Sequence, residues 1–256
     1  MHIPYGLPRY LARLLLGLTL ILPALAVPAD EHVSLERHQA CVVLLHGLWR
    51  SGLSMLPVEW HLEGEGFATV NVTYPSLSHT IPELADRAVS QGVTECRERG
   101  FATIHFVTHS LGGILVRQYL ASRHIDGLGR VVMLGPPNQG SRMADFFLDN
   151  PVTELYQPVA LEQLGTGSDS VPLALGPVDF ELGVIAGTIN RRSFLPGVPV
   201  GVSDGTVSVA ETVVPGMVDF LLVPAGHTFI MWNAEALEQT SHFLKNGSFV
   251  HSPLAE

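Results

Sequence analysis

The chain has 256 residues, of which 46% are hydrophobic and only 15% charged. That is enough apolar material for one large core and too apolar a composition for a disordered chain. A formal charge of −10 argues against a nucleic-acid partner and against electrostatic binding to anionic lipid.

The first residues carry Arg9 and Arg13, then the apolar run Leu14–Leu22, Pro23, and Ala24-Leu25-Ala26. A basic region, a short apolar core and a small-x-small site have the pattern of a secretory signal peptide, here residues 1–26, with cleavage expected after Ala26. The alternative is an N-terminal membrane anchor, for which the run is short and interrupted by Pro23. Residues 27–39 are polar and read as a linker, leaving 40–256 as the domain. The expected location is the periplasm or the exterior.

Cys41-Val42-Val43-Leu44-Leu45 reads as a parallel strand buried on both faces, because its apolar run does not alternate. It ends in His46-Gly47-Leu48-Trp49. A His-Gly turn after such a strand either simply closes the strand or presents a backbone N–H, here that of Leu48, to a developing oxyanion. Residues 67–73 form a second strand, and 82–99 a helix stopped at Gly100.

Residues 101–113, Phe-Ala-Thr-Ile-His-Phe-Val-Thr-His-Ser-Leu-Gly-Gly, run from a strand into a helix, with Ser110 at the joint. The pattern is G-x-S-x-G with Thr108 in place of the first glycine, followed by His109, Ser110, Leu111 and Gly112. Such a turn strains the serine backbone and lifts its hydroxyl above the sheet, while small residues on either side let the backbone pass. The competing reading is a serine that only caps a helix.

Residues 129–135 form a fourth strand. The segment 142–180 then breaks the alternation, with Pro151, Pro158, Pro172 and Pro177 among apolar residues such as Phe146, Phe147, Leu148, Leu155 and Tyr156. It reads as a small helical cap or as enlarged crossover helices. Strands follow at 181–188 and 218–224, with Asp204 on the loop between them and His227 just past the second. A last helix spans about 233–244.

Strand and helix alternate as in a parallel sheet flanked by helices. Parallel strands end on one edge, so His46-Gly47, Ser110, Asp204 and His227 are expected there together. Asp219, inside a strand, and Asp179, before one, are poorly placed rivals to Asp204. His242 and His251 read as surface residues, His105 and His109 as packing residues. No Cys/His/Asp spacing resembles a metal site, so no catalytic metal is expected, a structural calcium stays open, and no cofactor is expected.

These pieces, with 135–141 (Gly-Pro-Pro-Asn-Gln-Gly-Ser) and Ser203-Asp204-Gly205-Thr206-Val207, resemble the α/β-hydrolase superfamily, in particular small bacterial lipases and esterases. The resemblance implies an α/β-hydrolase fold and a carboxylic ester hydrolase. Ser110 would be the nucleophile, His227 the base and then acid, and Asp204 the orienting carboxylate. Leu48 and Leu111 would supply the oxyanion N–H groups. The implied partner is a small ester or lipid, with transient lipid-surface contact through the cap. Thioester cleavage, acyl transfer and a non-catalytic lipid- or protein-binding role remain open alternatives.

Cys41 and Cys96 are the only cysteines. In an exported protein they would form a disulfide. Cys41 opens a strand and Cys96 lies near the end of a helix returning to the strand starts, so a bridge on the edge opposite the site is geometrically open, as are two buried thiols.

Overall fold

The structure is a computed structural model and describes residues 40–152, 157–191 and 197–251. The expected signal peptide and linker, and Leu155 and Tyr156 of the expected cap, lie outside the described residues.

Six strands form one sheet: β1 (Ala40–Leu45), β2 (Ala68–Val72), β3 (Thr103–His109), β4 (Leu128–Leu134), β5 (Leu182–Gly187) and β6 (Asp219–Val223). Their spatial order is β2-β1-β3-β4-β5-β6 and every neighbouring pair is parallel. The longer helices are α1 (Leu56–Gly64), α2 (Ile81–Glu98), α3 (Leu111–Leu120) and α4 (Arg142–Asp149). Short helices α5 (Val159–Glu162), α6 (Val171–Ala174) and α7 (Val209–Thr212) follow, then α8 (Ala234–Asn246).

The unbroken apolar run of β1 has the expected cause. Cys41, Val43 and Leu45 pack on one face with α2 and α3, while Val42 and Leu44 pack on the other with α1 and α8. Each fully buried aliphatic side chain contributes about 1.5–3 kcal/mol. Local signals set the helix ends. Thr80 and Glu83 form a reciprocal cap at the start of α2. Asn233 accepts from Ala236 N–H to start α8, and Gly247 ends it at φ +80. The described residues of the segment 142–180 carry α4 and the one-turn helices α5 and α6.

Cys41 and Cys96 are disulfide-bonded, with Cα atoms 5.9 Å apart. The bridge joins the first residues of β1 to the end of α2, on the edge away from the strand C-termini. His105 in β3 is buried and accepts the Arg130 N–H on Nδ1 at 2.7 Å. Burial, and secondarily the Arg130 charge, lower its pKa to about 4.

Two stability tests follow. Reducing the bridge frees a loop of 55 residues and is expected to cost about 4 kcal/mol on the chain-entropy account. Urea melts with and without reductant, and of Cys41→Ser, measure it. For His105, the unfolded chain takes up a proton near pH 6.5 and the folded chain only near 4. Its contribution is therefore full above about pH 6.5 and is lost as pH falls toward 4. Denaturation at pH 7 and pH 5 should differ by about 2 kcal/mol from this group, and His105→Gln should flatten that slope.

Candidate active site

Three chain segments far apart in sequence meet above the C-terminal edge of the sheet. Ser110 joins β3 to α3 with φ +52 and ψ −119, a conformation sparsely populated by non-glycine residues. Ser110 N–H donates to Leu134 O at 2.9 Å, and Ser110 O accepts from Gly113 N–H at 3.0 Å. The joint is tight: a Cβ on Gly112 would lie 2.6 Å from Leu45 O, which is backbone and cannot yield. Thr108 is fully buried below it.

The Ser110 hydroxyl lies 3.1 Å from His227 Nε2, and His227 Nδ1 lies 2.7 Å from Asp204 Oδ2. With Nδ1–H donated to the carboxylate, Nε2 keeps its lone pair toward the serine. Asp204 is locked by its own loop, Oδ1 accepting from Thr206 N–H at 2.9 Å and from Val207 N–H at 2.7 Å. The backbone repeats the link, because His227 N–H donates to Asp204 O at 2.9 Å. The Asp204 side chain is 1% exposed and that of His227 is 11% exposed, so the pair is shielded while the ring edge still reaches the surface.

The turn after β1 approaches from the other side. His46 is buried, donates from Nδ1 to Gly47 O at 2.8 Å and accepts the Tyr74 N–H on Nε2 at 3.2 Å. The Tyr74 ring stacks on it at 4.0 Å and the Tyr74 hydroxyl donates to His46 O. Burial lowers the His46 pKa, so the ring is neutral and serves as a fixed strut. Among the described residues, no acceptor is bonded by Leu48 N–H. Leu111 N–H is the first of α3 and has no partner within the helix.

His109, next to the serine, is buried and donates from Nε2 to His227 O at 3.0 Å, its ring 4.7 Å from that of His227. Burial, then the neighbouring His227, hold its pKa well below the ordinary value. It braces the loop that carries His227. A Cβ on Gly47 would come within 2.7 Å of His109 Nδ1, which explains the glycine of the His-Gly pair.

The structure thus brings Ser110, His227, Asp204, Leu48 and Leu111 to one place. Asp219 binds His251 and the backbone of Phe249 and Phe220 instead, and Arg130 in β4 pairs with Glu181. The sequence reading placed His46 and Gly135 near the site without their supporting roles, and it missed Tyr74. Tyr74 and His46 form a pair 28 positions apart that no periodic pattern marks. Gly135, at φ +57 beyond β4, stands where a Cβ would be 3.1 Å from Asp204 Oδ2 and 3.2 Å from His227 Nδ1. A glycine directly after a strand was its one visible signal.

A cavity of about 460 Å³ lies over Ser110, walled by Leu48, Trp49, Met143, Phe147, Leu161 and Leu164. Helices α4 and α5 and the residues just after α5 therefore supply one side of the site. A second hollow of about 430 Å³, with Phe229 and Trp232 in its wall, lies on the other flank of His227 and does not reach Ser110. Among the described residues, no group of three His, Cys, Asp or Glu is placed to hold a metal ion, and no helix is long and apolar enough to cross a membrane.

A sequence model of the alpha/beta hydrolase family matches residues 42–156. No curated protein matches the chain. Among solved structures, the Bacillus licheniformis lipase BlEst2 in mature form is similar over 82% of this chain and 91% of its own, at 17% identity and TM-score 0.59. The metagenomic carboxyl esterase MGS0156 is similar over 74% of this chain and 64% of its own, at 21% identity and TM-score 0.56. The phospholipase PlaB from Legionella pneumophila is similar over 81% and 62%, at 18% identity and TM-score 0.58. At such identities the likeness is one of fold. Together with the match over residues 42–156, it gives this chain the α/β-hydrolase fold.

Gly135→Ala tests the packing behind the Asp204–His227 pair. The positive φ alone should cost about 1–2 kcal/mol, read as a lower urea midpoint. An unchanged midpoint would show that the turn accepts a side chain there.

Proposed function

We propose that this protein is a carboxylic ester hydrolase working through an acyl-enzyme on Ser110. The observation that carries the reading is the hydrogen-bonded chain Ser110–His227–Asp204, with the acceptor lone pair of the imidazole facing the hydroxyl. A serine hydroxyl is a poor nucleophile until a base takes its proton. As Ser110 Oγ bonds to the ester carbon, its proton passes to His227 Nε2, and Asp204 stabilises the resulting imidazolium. The carbonyl oxygen becomes an oxyanion, held by the N–H groups of Leu48 and Leu111, each such donor lowering the barrier by about 3 kcal/mol. The carbon–alkoxy bond then breaks and the alcohol leaves with the His227 proton. Water repeats the sequence and releases the acid.

The cavity wall supports an apolar acyl group, since Leu48, Met143, Leu161 and Leu164 face the space above Ser110. The lipase and carboxyl esterase named among similar folds support the ester class. Export is part of the same reading. The Cys41–Cys96 bridge supports an oxidising compartment, and residues 1–26 supply the expected signal.

A fluorophosphonate should attach to Ser110, seen as a mass shift on the peptide that contains it and absent in Ser110→Ala. On a panel of soluble esters, Ser110→Ala should lower kcat by about a millionfold and Asp204→Asn by about ten-thousandfold, both remaining folded. Retained turnover in Ser110→Ala removes the serine from the reaction.

A further inference from the structure

The turn after β1 breaks a local rule. Arg50 N–H donates to Gly47 O at 3.2 Å, closing a four-residue turn whose third residue, Trp49, has φ +57. Glycine or asparagine is the ordinary occupant of that slot, because a Cβ crowds the backbone there. Among the described residues, only Trp49 and Ser110 combine a side chain with a positive φ. Such violations persist where the side chain or the backbone is needed for something other than folding. For Ser110 the gain is an accessible hydroxyl. For Trp49 the gain lies in where its ring goes.

Trp49 is 48% exposed, and its ring meets that of Phe147 from α4 with centroids 5.8 Å apart and planes at 60°. Both rings line the cavity over Ser110, whose inner wall is made by the buried residues Ala144, Leu161 and Leu164. The two rings therefore stand at its outer end, one carried by the turn after β1 and the other by the capping segment. Neither support is loose. The turn is closed by the Arg50–Gly47 bond and braced by the His46–Tyr74 stack. Helix α4 is capped by Ser141, and its Asp145 accepts from the Thr166 hydroxyl and N–H at 2.6 and 2.9 Å.

We propose that Trp49 and Phe147 form a steric gate that fixes the acyl-chain length this site admits, an inference that rests on Ser110 being the nucleophile toward esters. Short acyl groups fit between the serine and the inner wall. A long chain has to leave the cavity between the two rings, and their contact closes that path. Trp49 is thus the specificity-determining residue, and its backbone conformation is what aims the ring at Phe147.

The test compares Trp49→Gly, Trp49→Ala and Phe147→Ala with the wild type on butyryl and palmitoyl esters of one alcohol. Each variant should raise the palmitoyl-to-butyryl ratio of kcat/KM by about tenfold or more, the size expected when apolar pocket contacts decide between substrates. Trp49→Gly should melt at a higher temperature than Trp49→Ala, because only glycine relieves the positive φ, while the two share one specificity shift. A second readout does not depend on Ser110: laurate, titrated calorimetrically, should bind more tightly to Phe147→Ala than to the wild type. A wild type without turnover on any ester, yet with laurate affinity raised in Phe147→Ala, would sink the nucleophile reading and keep the gate. Folded variants with an unchanged ester ratio and unchanged laurate affinity overturn the gate.

Discussion

The common direction of the six strands is the constraint on which the site depends. Because every pair is parallel, every strand delivers its following loop to the same edge. Residues that follow β1, β3, β4, β5 and β6 therefore converge on it. The cost is that the sheet must be covered on both faces, and the unbroken apolar strands meet it by feeding two cores, one under α2 and α3 and the other under α1 and α8. The disulfide lies at the opposite end of β1, where it can tie α2 to the sheet without touching the chemistry.

On that edge, neutral buried polar groups do much of the positioning. His46 and His109 are both kept uncharged by burial and each fixes a backbone carbonyl, one beside the Leu48 turn and one at His227. A charged ring in either place would repel the imidazolium that the proposed mechanism forms at His227. Arg117 does similar work on a larger scale. It is buried in α3, its Nη1 donating to Asn138 O and Oδ1 and its Nη2 to Pro172 O and Gly176 O. One side chain thus links the helix that begins at Ser110 to the loop after β4 and to the residues on either side of the C-terminal end of α6. Desolvation lowers its pKa to about 10, which still leaves it charged at neutral pH.

Much of this was legible in the sequence, for identifiable reasons. The strands announced themselves because a strand buried on both faces needs consecutive apolar residues, as in Val42–Leu45 and Val131–Leu134. The Ser110 joint was legible because close backbone approach admits so few residue types, and Gly112 is the clearest case. Asp204 and His227 could be picked out by their places beyond strand ends. Tyr74, Gly135 and Arg117 could not, since each acts through a contact with a residue tens of positions away. Trp49 ran against its local signal, for the turn it occupies favours glycine.

The amino-acid order alone determined the alternation of strands and helices, the edge on which the polar residues gather, and the identity of the serine, imidazole and carboxylate. These follow from burial periodicity and backbone sterics, which act over a few residues and leave their mark in composition. Only the tertiary structure decided the distances among those three groups, the bracing of His227 by His109, the depth of the cavity and the meeting of Trp49 with Phe147. Those depend on how separate loops and helices pack in space, and no short stretch of chain encodes that packing by itself.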